Sequence, residues 1–180
     1  MVDPPTATHM PGGGVLAGMS WLDRVLGGGD EEGGRSGRDH RGHGETRVGL
    51  FVDGPNVFRG EFEVDLDDVR AAGEEYGRLA VTTLYLDENA SSGLVQAAEA
   101  RGFAVVTTSG DVDVKLAVDA TAAAVEGRLD IVVVASRDTD FKPVLEAAAE
   151  RGLGTVAVAP GEHGRSDALR NAAQDDITLD

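Results

Sequence analysis

"SRDTDF", residues 136 to 141, places Asp138 and Asp140 directly behind "DIVVVA", an apolar run of the kind that becomes a buried strand. Two more aspartates hold comparable positions: Asp53 ends "VGLFVD", and Asp113 lies in "SGDVDVKLAVDA", just behind "FAVVTT". Crowded carboxylates in an apolar setting are costly unless something compensates their charge. Two of them about 4 Å apart repel by roughly 4 kcal/mol at an effective dielectric near 20. A cluster therefore either takes up protons or holds a cation. The chain has no cysteine, and oxygen ligands suit Mg²⁺ or Mn²⁺ rather than zinc. Such an ion can activate water against a phosphate ester, so no nucleophilic side chain is needed.

Each aspartate also has a simpler reading. Asp53 could shape a turn. Asp111 is placed as a helix N-cap, Asp113 falls in the first helical turn where acids are favoured, and Ser136 or Asp138 could cap the following helix. A cap accounts for one group in "SRDTDF", not for both. Asp119, six positions beyond Asp113, lies about 240° further round a helix and is expected to face elsewhere. Asn56 in "VDGPN" offers an amide close to Asp53. Arg59, Arg137, Lys142 and Arg170 are candidate contacts to a phosphate backbone, each equally at home as a surface residue.

Positioning these groups requires a sheet. "VGLFVD" (48–53), "AVTTLYL" (80–86), "FAVVTT" (103–108), "DIVVVAS" (130–136) and "GTVAVA" (154–159) are short, β-branched and bounded by Gly, Asp or Ser, which predicts strands. Helical patterns fill the gaps at 66–76, 91–101, 112–126, 139–150 and 166–173. This alternation predicts an α/β fold: a mostly parallel sheet of about five strands with helices on both faces. Ligands of such sheets bind at the C-terminal strand ends, where Asp53, Asp113, Asp138 and Asp140 all fall.

Residues 1–46 read differently. Glycine clusters and scattered charge predict a disordered tail, interrupted by an apolar island at 15–26 that suits a transient helix, a weak contact with the domain or a protein partner. Met19 is a candidate alternative start. The domain is expected over 47–180. No stretch reaches the roughly 20 apolar residues of a membrane span, and no basic region followed by an apolar block opens the chain, so a cytoplasmic protein with no membrane partner is expected.

Thirty-two acidic residues oppose sixteen basic ones, of which only two are lysine, for a net charge of −16. That balance predicts a halophilic protein whose surface repulsion is screened by salt. It weighs against long-range attraction of nucleic acid at low salt, but molar salt mutes the repulsion.

Taken together, "VGLFVDGPNVFRG", "GDVDVKLAVDA", "DIVVVASRDTDFKPVLEAAAERG" and "SDALRNAAQDDITL" resemble the NYN domain, a branch of the PIN-like nuclease superfamily that includes the LabA-like proteins. The resemblance covers about residues 47–180. It implies a PIN-like three-layer sandwich and a Mg²⁺- or Mn²⁺-dependent ribonuclease acting on single-stranded RNA. It assigns Asp53, Asp113 and Asp138 as catalytic metal ligands, Asp140 as their support, and Asn56 as a group that positions phosphate or water. Gly110 and Asp111 stand where the family commonly has lysine and glycine, and Arg137 replaces the glycine of the usual "SGD"; Arg137 and Lys142 are then the substrate-binding cations. A homo-oligomer is compatible with this reading.

Two rivals remain. One is a non-catalytic metal- or RNA-binding regulatory module on the same fold. The other is a small-molecule phosphohydrolase with an aspartate nucleophile in a D-x-D arrangement. "DTD" at 138–140 has that spacing but follows the fourth strand, and "DGPN" after the first strand lacks the second acid. The runs "PGGG" and "GGGDEEGG" are not phosphate loops, since no GK[ST] follows them, and the histidines of "DHRGHG" are simplest as solvated tail residues.

Overall fold

The computed structural model describes residues 45–58, 64–161 and 167–179. The tail to residue 44 with its island and histidines, Met19, Arg59 and Ser166 lie outside the described residues.

Six strands form one sheet: β1 Arg47–Asp53, β2 Arg78–Asp87, β3 Ala104–Thr108, β4 Ile131–Ala135, β5 Gly154–Pro160 and β6 Asp175–Leu179. Their order is β3-β2-β1-β4-β5-β6 and every pairing is parallel. The chain thus builds outward from β1 in one direction, then returns and builds outward in the other. The reversal lies between β1 and β4, and such a switch opens a crevice beyond the C-terminal strand ends.

Helices supply the crossovers. They are α1 Gly54–Val57, α2 Leu66–Glu74, α3 Ser92–Ala100, α4 Val112–Val125, α5 Lys142–Glu150 and α6 Asp167–Ala172, with a 3-10 turn at Thr139–Phe141. Right-handed connections put α2 and α3 on one face and α4, α5 and α6 on the other; α5 touches both α4 and α6. The starts are specified locally. Asp65 and Asp68 form a reciprocal capping box before α2, Ser91 caps α3, and Asp111 caps α4.

Strand residues alternate between the faces. Phe51, Tyr85, Val132, Val134 and Ala157 pack with Leu116, Ala120 and Ala123 of α4 and with Leu145 and Ala148 of α5 in one apolar core. At about 25 cal/mol per Å² of apolar surface, burial of this kind is the main stabilising contribution. Gly49 is required by packing, because a Cβ there would lie 2.4 Å from Leu129 Cδ1. On its outer side α4 leaves Val114, Val118 and Val125 exposed.

Two elements differ from the sequence expectation. The sheet has six strands rather than five, because "DDITL" pairs with β5; every residue of β6 is half-buried and its first two are aspartates, so no apolar alternation marks it. The helix expected over 139–150 opens as a 3-10 turn, and the α-helix proper starts at Lys142 with Pro143 in its first turn, where a missing N–H costs nothing.

Candidate active site

Sheet register sets the site. Val52 of β1 faces Ala135 of β4, so the next residues, Asp53 and Ser136, emerge side by side at the switch. Both are buried, and both follow the parity of the face covered by α4 and α5. The Ser136 hydroxyl donates to Asp53 Oδ2 at 2.8 Å and accepts the Asp138 N–H at 3.0 Å. This one hydroxyl couples the two strand ends.

The turn after β1 closes on the same carboxylate. Asp53 caps α1 by accepting the Asn56 N–H on Oδ1 at 3.3 Å, and the Asn56 side-chain amide donates to Oδ2. After β4, Asp138 Oδ1 accepts the Asp140 N–H at 2.9 Å and so caps the 3-10 turn. Asp113 stands in the first turn of α4, beside the Asp111 cap, half-buried. Asp140 is exposed at the rim.

Electrostatics ties these groups together. Burial raises the Asp53 carboxyl above its ordinary range; hydrogen bonds from Asn56 and Ser136 oppose the rise and the Asp138 charge adds to it. The Asp113 carboxyl is pushed up to about 6, first by burial and then by the charges of Asp53, Asp138, Asp111 and Asp140. Four aspartates therefore bear on one carboxyl group, and all the proposed acidic ligands lie within one field.

The donor set suits a hard divalent cation, which takes oxygen ligands and, for magnesium, retains waters while using few carboxylates. An ionised carboxylate offers about four lone-pair sites. Asp53 Oδ1 accepts one hydrogen bond, Asp138 Oδ2 accepts none, and neither Asp113 oxygen accepts any among the described residues. Among those residues no group of three acidic or histidine side chains is arranged closely enough to hold a metal ion. The cluster is an open one with acceptor sites to spare.

The cations and the outlying acid are placed as follows. Arg137 lies half-buried between Ser136 and Asp138. Lys142 starts α5, exposed, and pairs with Glu146 at 3.5 Å. Arg170 is held by Asp176 at 2.7 Å and Asp167 at 3.6 Å, which ties it to β6. Asp119 accepts the Tyr85 hydroxyl at 3.1 Å and pairs with Lys115 at 2.7 Å, a polar packing contact as its helical position predicts. Ser136 entered the sequence reading only as a potential cap. Its signal was its place as the first residue past a wholly apolar strand, but its partner Asp53 is visible only from strand order.

A parallel α/β sheet with carboxylates gathered at the switch between its halves is the architecture of the PIN-like nuclease superfamily. Within it this chain belongs to the NYN domain family, whose sequence pattern matches residues 47–180. An uncharacterized protein of Methanocaldococcus jannaschii is 40% identical over 130 residues, covering 72% of this chain and 54% of the relative, so the chain spans about half of that relative's length. A crystal structure of a protein of unknown function from Vibrio parahaemolyticus superposes with a TM-score of 0.67 at 18% identity, covering 78% of this chain and 96% of that one, a likeness of fold. Nucleases of this superfamily generally use divalent metals. Among the described residues no helix is long and apolar enough to cross a membrane.

Proposed function

We propose that the chain is a divalent-metal-dependent ribonuclease that hydrolyses phosphodiester bonds of single-stranded RNA. The observation that carries this is the convergence on the Asp113 carboxyl of the fields of Asp53, Asp138, Asp111 and Asp140, drawn from three strand ends. Such a concentration of acid is relieved by a cation, and among the described residues no basic side chain pairs with these carboxylates.

Asp53, Asp113 and Asp138 would hold Mg²⁺ or Mn²⁺, which when bound supplies an activated water and neutralises charge developing on the scissile phosphate. Asn56 and Ser136 fix the Asp53 carboxylate, and Ser136 also sets the backbone at Asp138. Asp140 adds negative field at the rim, while Arg137 and Lys142 border the opening from the β4 side and would steer the RNA backbone. On a chain of net charge −16 such local cations matter, because the overall field opposes a polyanion.

The test is RNA cleavage with Mg²⁺ or Mn²⁺ by wild type and Asp138→Asn. Asparagine retains the Oδ1 that caps the 3-10 turn but loses the charge, so cleavage should be abolished with the melting temperature in metal-free buffer retained. Metal should raise the melting temperature of the wild type alone. Equal cleavage by the two would overturn the site. One observation favours the second reading, a non-catalytic binding module: Asp53, the most buried acid, already accepts three hydrogen bonds within the domain. Metal-dependent stabilisation without cleavage would establish that reading.

A further inference from the structure

A second concavity adjoins the acidic cluster across α1. Leu86 follows the strand parity opposite to Tyr85, and a Cβ on Gly54 would lie 2.4 Å from Leu86 Cδ2, so this side of the sheet edge faces α3 rather than α4. There a cavity of about 220 Å³ opens, with Pro55, Phe58, Leu86 and Leu94 as apolar walls and Asp87 and Asn89 as polar ones. The α1 turn is a partition between the two: Asn56 serves Asp53 on one side, and its neighbour Pro55 lines the cavity on the other.

We propose that this cavity is a nucleobase subsite of the same enzyme, taking the base of a nucleotide one or two positions from the scissile phosphate and favouring a base with an exocyclic amino group, adenine first. The inference rests on the ribonuclease reading for its substrate class. Among the described residues the lining contains a carboxylate and no cation, which disfavours a phosphate there and suits a neutral group that donates hydrogen bonds. Phe58 presents an aromatic ring and Leu86 and Leu94 apolar contact, the surroundings in which single-stranded bases are received. Asn89 holds its backbone N–H on Asp87 Oδ1 at 2.8 Å, which fixes the turn, while its side-chain amide makes no hydrogen bond among the described residues. An asparagine amide pairs with the N6 and N7 edge of adenine, and Asp87 Oδ2 can accept a further amino hydrogen. The partition is one helical turn thick, about 10 Å with side chains, which sets the offset from the cleavage point.

The experiment uses the full chain with metal removed by chelation, so that binding is read without cleavage. Hexaribonucleotides of A, C and U are titrated while the Asn89 side-chain amide is followed by NMR. Expected are shifts at Asn89 with affinity for A and C above U, and an Asn89→Ala variant that loses about tenfold for A but little for U. Phe58→Ala should weaken all three, since stacking is tolerant of sequence. Unmoved Asn89 resonances, or equal loss for A and U in Asn89→Ala, would overturn the subsite. Cleavage of RNA by wild type with added Mg²⁺, measured separately, reports on the ribonuclease reading: a base-binding cavity in a non-cleaving protein sinks that reading alone, and cleavage without base binding sinks the subsite alone.

Discussion

Asp113 carries a cost that the fold tolerates. Its folded carboxyl titrates near 6, above the ordinary value of 3.8, so the native state holds more protons than the unfolded chain between those limits. Stability from this group is therefore full below about pH 4 and lost as pH rises through about 6. In metal-free buffer Asp113→Asn should melt higher than wild type at about pH 8 and at the same temperature at about pH 4; equal midpoints at the higher pH would remove the strain. Ser136 predicts the opposite. Ser136→Ala leaves the buried Asp53 short of a donor and the Asp138 N–H short of an acceptor, at about 1–3 kcal/mol in denaturant unfolding, with cleavage falling too. The acids of this site were legible from their positions behind apolar runs. Ser136 was not, since a hydroxyl's value depends on which strand lies alongside.

At the level of elements, β1 and β4 are fastened at both ends. Opposite the site, Arg47 clamps Asp130 through its backbone N–H at 2.8 Å and its guanidinium at 2.9 and 3.0 Å, and also donates to the Gly127 carbonyl at 3.2 Å. The side chains are 40% and 45% exposed, so solvent discounts the charge and the bonded geometry contributes most. Asp130→Ala should lower stability by about 1 kcal/mol, read from urea midpoints; a change under the error of the measurement would make the clamp incidental. Its Asp130 carboxyl is held low by Arg47, so this contribution is present above the ordinary carboxylate pKa and lost as pH falls through the depressed folded value. Strands β1, β4 and β5 could be read as apolar runs because they are buried on both faces, whereas β2 and the edge strand β3 are partly exposed and were marked by their β-branched Val and Thr residues. β6 is an edge strand pinned by polar contacts, Tyr76 to Asp175 at 3.0 Å and Arg170 to Asp176 at 2.7 Å, and the first of these partners is distant in sequence.

For the whole molecule, a net charge of −16 repels itself over about 10 Å at 0.1 M salt and about 3 Å at 1 M. The melting temperature should therefore climb from about 0.1 M to molar KCl, and a flat or falling trend would remove the halophilic expectation. The hydrogen bond from Ser136 to Asp53 joins residues 83 apart, and it exists only once β4 lies beside β1. On a ribosome, itself made largely of RNA, the first three strands emerge and can pair while β1 keeps one edge vacant. At about 5–20 residues per second, β4 follows β1 by roughly 4 to 16 s. Over that interval the growing chain carries Asp53 and then Asp113, but no Asp138 to complete the set. The order of synthesis thus delays the proposed site: the chain emerges beside RNA without Asp138, and the carboxylates come together only when the fourth strand is inserted.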